Sequence, residues 1–367
     1  MKRILIIDQH QLGYLTDTYC YCQHLAGRYD ITYLSWDYGS PPMSVDNVRV
    51  ITVSRDGSPF HRVARYIRRV QQELRTGAYD VGFVVLFTGC SLLRLVRTTI
   101  PLIVDLRTGS ELSNPILRRA QNALMAFEAS MFRNISVISE GLRVILGFRP
   151  ERCHILPLGA DPQDVPAKTF DGLRLLYVGT LIQRHIERTV EGLVAYVQKT
   201  HPDLPMHYDI VGDGFPEDNA VLKDTIQRLD CASMVTFHGR IPFAQLRPFL
   251  ERCNVGVAFV PMTPYFHPQP STKVFEYMLA GMPVLATRTD ENVRVVPSLA
   301  GVLHDDTAED FCNGLTNLAA AVATYSSPRI REAAQAYSWK NIVHQNLEPF
   351  LLSVANGQAD GRGRSRP

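Results

Sequence analysis

The sequence predicts an α/β protein made of two doubly wound parallel sheets in succession. Three observations predict it. The chain has 367 residues, long for a single core and enough for two domains. Short continuous apolar runs such as Ile4–Ile7 and Val284–Ala286 recur, as parallel strands covered on both faces require. Loops and helix-period segments alternate with these runs, and the alternation starts again after the polar stretch Gln163–Asp171.

Composition narrows the class. With 46% hydrophobic and 20% charged residues the chain has an ordinary globular make-up. A formal net charge of +2 does not call for a nucleic-acid partner. Residues 1–165 carry more Lys and Arg than Asp and Glu, and the remainder slightly fewer, so the front half better suits an anionic surface or acceptor. Seven cysteines at irregular spacing, with no completing histidine pair, read as buried thiols in a reducing compartment. The start MKRILIID has too few apolar residues for a signal peptide, and no apolar run is long enough to span a bilayer. The expected location is the cytoplasm.

In the first half, Ile4–Ile7 reads as a strand feeding the loop Asp8–Thr16, with His10, Gly13 and Tyr14 at a strand end. His10 reads either as a substrate contact or as a loop cap. A helix through Cys20 to Leu25 and strands at Ile31–Leu34 and Val48–Val53 follow. Residues 60–75 form an amphipathic helix with Phe60, Val63, Ala64, Ile67, Val70 and Leu74 as its core stripe. Its arginines read either as a solvated face or as a peripheral foothold on anionic membrane. Strands follow at Tyr79–Phe87 and Pro101–Asp105, the latter leading into Asp105, Arg107 and Glu111. Asp105 and Arg107 leave the strand on one face and read as a site pair or as a buried ion pair. A helix over Pro115–Met131 and a strand over Ile135–Ile138 precede Ser139, a cap for the next helix.

In the second half, Leu173–Val178 is a strand opening into Gly179, Thr180, Arg184 and His185. The glycine lets the chain turn close to a ligand, and the basic group suits a diphosphate. His207–Val211 leads into Gly212 and Gly214, and Val235–Ile241 turns at Gly239. After a strand at Cys253–Val260, Thr272–Leu279 has helical spacing, with Ser271 and Thr272 as candidate caps. Its N–H groups attract anions, Lys273 adds positive charge, and Glu276 can accept hydrogen bonds from a pair of hydroxyls. Glu276 and Lys273 also fit a plain helix start facing water.

The run Pro270, Lys273, Glu276, Tyr277, Met278, Gly281, Pro283, Val284 resembles the donor segment of retaining, nucleotide-sugar-dependent glycosyltransferases of family 4. Supporting segments are Gly179 with Arg184, Gly212 with Gly214, and Pro157 with Gly159 and Asp161. The resemblance implies the GT-B fold, two Rossmann-like domains facing a cleft. It implies an acceptor-binding domain over 1–165, a donor domain over 166–330, a helix over 331–353 crossing back to the first domain, and a disordered tail over 354–367. It implies transfer of a sugar from a nucleotide-diphosphate donor, UDP- or GDP-linked, to a carbohydrate or lipid-linked acceptor hydroxyl, with no cofactor and no metal. Glu276 would take the ribose hydroxyls. Gly13, Gly179, Thr180, His185, Gly212, Gly214, Gly239, Ser271 and Thr272 would line the donor, and His10, Tyr14, Arg107 and Glu111 the acceptor. Asp105, Arg184 and Lys273 would be catalytic. The chain departs from the pattern at Pro268, where relatives carry an acid near the donor sugar, and at His185, where they carry Lys. A non-catalytic binding module and a same-fold nucleotide-sugar epimerase remain open.

Overall fold

A computed structural model of the protein describes residues 1–41, 43–202 and 205–357, without the side chain of Phe243. The chain divides into two compact units, Met1–Leu158 with the segment from Trp339 onward, and Gly159–Ser338. Each unit holds one sheet of parallel strands.

The first sheet contains β1 (Arg3–Ile7), β2 (Asp30–Trp36), β3 (Val48–Val53), β4 (Val81–Val85), β5 (Leu102–Leu106), β6 (Asn134–Val137) and β7 (Cys153–Ile155). Their order is β3-β2-β1-β4-β5-β6-β7. The direction of winding reverses between β1 and β4, so the carboxyl ends of these strands border the crevice where such sheets take ligands. Alternate residues face opposite layers. Leu5, Ile7, Val84 and Val104 pack under the helix Pro59–Arg75 through Tyr66, Val70 and Leu74. Ile4, Ile6, Phe83 and Ile103 pack with Tyr21 and Cys22 of the helix Thr16–Leu25. Onto that second layer fold Trp339, Val343, Leu347 and Leu351 of the helical run Trp339–Ala355. The C-terminal segment is thus part of the first unit's core.

The second sheet contains β8 (Leu173–Val178), β9 (Met206–Val211), β10 (Val235–Gly239), β11 (Val255–Ala258), β12 (Val284–Thr287) and β13 (Gly301–His304). Its order, β10-β9-β8-β11-β12-β13, reverses between β8 and β11. The helix Thr272–Leu279 connects β11 to β12 with Val274, Phe275, Met278 and Leu279 all buried.

Several elements differ from the sequence expectation. The first boundary falls after Leu158, where 165 was expected. The return begins at Trp339, where 331 was expected, because Arg331 donates to the backbone of Val165 and Ala280 inside the second unit. Val354 and Ala355 close the last helix, and the rest of the expected tail lies, from residue 358, outside the described residues. β7 and β13 are short and carry Cys, His or Gly, so apolar run length did not reveal them. Phe60, expected in the core, is 78% exposed in the first turn of its helix. On the same helix Arg62 donates to Gly57 O, Arg65 to Ser54 O, and Arg69 pairs with Glu73 at 2.5 Å. Three of its arginines are therefore held by the protein itself. No helix among the described residues is long and apolar enough to cross a membrane. All seven cysteines are free thiols, and all but Cys153 are buried.

His304 at the end of β13 is 3% exposed and stacks on Phe259 with ring centroids 5.9 Å apart. Burial pushes its pKa down to about 4 against the opposing pull of the Asp305 carbonyl. A folded pKa below the unfolded one gives stability that is present above the ordinary histidine range and lost as pH falls through about 4. Chemical denaturation between pH 7 and pH 4 should show up to about 3 kcal/mol less acid loss in His304→Phe than in the parent; parallel curves would remove His304 as the cause.

Candidate functional site

The loops after β8 and β11 and the start of the helix Thr272–Leu279 enclose a cavity of about 270 Å³. This is the second sheet's reversal point, so the topology alone puts a concave site here. Tyr277 sets its geometry. The Tyr277 ring is fully buried against Gly256 of β11, where an added Cβ would come within 2.2 Å of it. Its hydroxyl oxygen accepts the Val178 N–H at 2.8 Å, which ties the helix to the end of β8. Gly212 brings β9 in. Its φ is +147°, and an added Cβ would lie 1.7 Å from Gly179 O. Only glycine allows these two backbones to touch.

Into the cavity face Gly179, Thr180 and Arg184 from the β8 loop, and Ser271, Thr272 and Lys273 from the helix start. Ser271 occupies the N-cap position, but its side chain makes no capping bond. The Arg184 guanidinium lies 4.1 Å from the Phe266 ring centroid, a stacking that leaves its N–H edge available. Gln183 and His185 on either side of Arg184 have φ of +55° and +54°. Left-handed backbone at two non-glycine residues is strain of order 1 kcal/mol each, of the kind found at ligand-holding loops. Lys273 Nζ reaches both Glu276 carboxylate oxygens, at 2.9 and 2.7 Å. Glu276 is half-buried one turn behind the cavity lining. No Asp or Glu lines the cavity, while Arg184 and Lys273 do, so its charge favours an anion.

Other expected donor residues lie apart from this group. His185 turns away, its ring 3.2 Å from Glu187, and lines a separate depression with Glu217 and Asp218. The left-handed backbone after Arg184 is what reverses its direction. Gly214 and Gly239 shape neighbouring turns and do not line the cavity. Tyr265, Phe266, Gln269 and Asn292 line it and were not expected. Gln269 was legible only as the residue beside Pro268; its amide donates to Tyr265 O at 2.9 Å.

In the first unit, His10 stands beyond the carboxyl end of β1, with Nδ1 3.0 Å from Asp8. Asp8 is fully buried and also accepts from Thr18 and Tyr33 hydroxyls. The His10 ring lies nearly parallel to Tyr14 and Tyr38, with centroids 5.0 and 6.5 Å away. Tyr14 is exposed, and Arg55 covers Tyr38 at 4.0 Å. Gly13 has φ +91° and makes the turn that carries Tyr14. Asp8, Tyr38 and Arg55 were missed. An acid at a strand end was the available signal for Asp8, whereas Tyr38 and Arg55 arrive from neighbouring strands.

Asp105 is withdrawn from the surface and Arg107 is largely so. Asp105 is fully buried on β5, accepts the Ser136 hydroxyl at 2.6 Å and lies 3.5 Å from Arg107. Burial lifts its pKa to about 6 despite the adjacent guanidinium. Arg107 donates to Asp17 at 2.7 Å and to Leu156 O. The pair is the buried ion pair that the sequence left open, with Ser136 of the neighbouring strand β6 bound to Asp105. Glu111 is exposed five residues beyond β5.

The family model for glycosyl transferases group 1 matches residues 172–321, which include the loops after β8 and β11 and the helix Thr272–Leu279. Among solved structures, the apo lipopolysaccharide outer core galactosyltransferase WaaB is 13% identical with TM-score 0.72, covering 96% of this chain and 99% of that one. Sucrose-phosphate synthase from Thermosynechococcus elongatus is 16% identical with TM-score 0.72, covering 97% and 100%. Anabaena HepE in complex with UDP and glucose is 15% identical with TM-score 0.71, covering 96% and 100%. The chain has the GT-B fold. No curated protein is detectably similar to it in sequence.

Among the described residues of this GT-B protein, no three His, Cys, Asp or Glu side chains gather to hold a metal ion. Its second-unit site rests on neutral dipoles, two cations and the Tyr277 tie. Tyr277→Phe strands the buried Val178 N–H, so thermal or urea unfolding should show a loss of about 1–3 kcal/mol. Parent-like stability would mean that the hydroxyl does not hold β8 to the helix.

Proposed function

We propose that the protein is a metal-independent, retaining glycosyltransferase that uses a nucleoside-diphosphate sugar, UDP-linked in the first instance. The carboxylate-free cavity carries this reading, because Arg184, Lys273 and a helix N-terminus converge where a diphosphate would lie. The UDP-bound HepE structures of the same fold support the choice of nucleotide. In the reaction an acceptor hydroxyl oxygen bonds to the anomeric carbon as the bond from that carbon to the phosphate oxygen breaks. The nucleoside diphosphate leaves with the electron pair, and the hydroxyl proton passes to the departing phosphate oxygen. Arg184 and Lys273 stabilise the charge that develops there. Glu276, shared with Lys273, accepts the ribose hydroxyls. Gly179, Gly212, Thr180, Ser271 and Thr272 let the diphosphate approach the backbone.

The acceptor, a carbohydrate or lipid-linked saccharide, is assigned to the first unit. His10, Tyr14 and Tyr38 offer parallel rings suited to a sugar face, and Glu111 offers a carboxylate beyond them. Asp105 and Arg107 hold the loop between them in place of direct catalysis. Free thiols at seven cysteines support a reducing, cytoplasmic location. One feature favours a binding module without turnover: Pro268 stands where relatives carry an acid. Release of nucleoside diphosphate that depends on an added acceptor decides for the transferase.

Glu276→Gln should weaken UDP binding by about 1–3 kcal/mol in calorimetry, the worth of a charged hydrogen bond; unchanged affinity removes its ribose role. Arg184→Ala should lower turnover by about a hundredfold with an unaltered melting temperature. Normal kinetics in that variant would take Arg184 out of the chemistry.

A further inference from the structure

Three neighbouring strands of the first sheet deliver one side chain each to the same spot. β3, β2 and β1 lie side by side and run parallel, with Ile7 beside Leu34 and Trp36 beside Val53. Just past their carboxyl ends stand His10, Tyr38 and Arg55. The loops that carry them are fastened before any ligand arrives. Gln11 donates to Ser40 O at 2.8 Å and accepts the Tyr38 N–H at 3.2 Å. Arg65 donates to Ser54 O and Asp56 O, on either side of Arg55. The Tyr38 ring joins the group, its centroid 6.5 Å from that of His10 and 4.0 Å from the Arg55 guanidinium carbon.

Arg55 is the member whose charge goes unanswered. It is half-buried, and its guanidinium also lies 5.4 Å from the Trp36 ring. Among the described residues, neither its Nε nor the nearby Trp36 Nε1 has an acceptor, and no carboxylate pairs with Arg55. The first acid after each strand binds elsewhere. Asp8 takes His10, Thr18 and Tyr33, Asp37 takes the Gly39 N–H, and Asp56 takes the Ser54 hydroxyl. A stacked, partly desolvated guanidinium with no carboxylate suits a planar or multidentate anion better than a neutral hydroxyl.

We propose that the saccharide held by the His10, Tyr14 and Tyr38 rings carries an anionic group, a uronate carboxylate or a phosphate ester, and that Arg55 selects it. This deepens the sugar-transfer reading and rests on it, since that reading assigns the acceptor to the same rings. The rings receive a sugar face whatever its charge, and Arg55 adds a charged contact that a neutral sugar leaves unmade.

Equilibrium binding to the full chain, without nucleotide, tests it. Trp36 supplies a fluorescence signal, since the other tryptophan, Trp339, is buried in the first unit's core. The probes are glucose with glucuronate, galactose with galacturonate, and glucose 6-phosphate. In at least one pair the acid is expected to bind about tenfold tighter than the neutral sugar, the worth of a charged hydrogen bond. Arg55→Gln should erase that preference and leave the neutral sugar's affinity unchanged. Arg55→Lys, which keeps the charge and loses the fork, should retain part of it. Arg68→Gln removes an exposed charge from the helix Pro59–Arg75 and should leave the preference intact. Tighter binding of glucose 6-phosphate than of glucuronate assigns the charge to a phosphate ester, and the reverse to a uronate; each upholds the proposal. No binding of any acid, equal affinities within every pair, or a preference that survives Arg55→Gln would overturn it. An equal loss of acid and neutral sugar in Arg55→Gln, at an unaltered melting temperature, would also overturn it and leave Arg55 as a cover for Tyr38. These titrations contain no donor, so they can fail while acceptor-dependent release of nucleoside diphosphate succeeds, and the reverse.

Discussion

The second unit depends on one buried contact, the Tyr277 hydroxyl accepting the Val178 N–H while the ring lies on Gly256. Three elements meet there: the end of β8, the middle of β11 and the helix between β11 and β12. Because the contact lies in a fully desolvated place, an unpaired Val178 N–H would be costly, and the helix has one favourable seat. That seat aims its first turn at the β8 loop. The cavity follows from this constraint, with Gly212 and Gly179 in contact behind it.

Electrostatics then make the cavity selective. It has two cations, a helix N-terminus and no lining carboxylate, in a fold whose topology already places ligands at that point. The Lys273–Glu276 pair tempers the positive charge and holds both side chains in register before a ligand arrives. The strained backbone around Arg184 has the same sense, since strain persists only where the surroundings enforce one arrangement.

The first unit handles charge in the opposite way. Asp105, Arg107, Asp17 and Ser136 form a network centred on the buried Asp105, and nothing in the spacing D-x-R separates that outcome from an exposed pair. Asp8 is buried too, but it holds His10 at the surface among parallel aromatic rings. The helices divide similarly. Pro59–Arg75 has the strong alternation that the eye picks out, and most of its pattern is internal. Pro115–Ser130 has a weaker pattern and presents it outward.

Sequence alone determined the two parallel sheets, most strand positions, and the candidates Gly179, Arg184 and Lys273 that meet at one cavity, because short-range periodicity and closely spaced motifs encode them. The tertiary structure decided what lies far apart in sequence or depends on direction. It turned His185 away from Arg184 and buried Asp105. It brought Tyr38 and Arg55 beside His10, and folded Trp339 onto the first sheet. The physical reason is that periodicity records which residues share a face of their own helix or strand. Whether that face meets protein or water is fixed only when the elements pack.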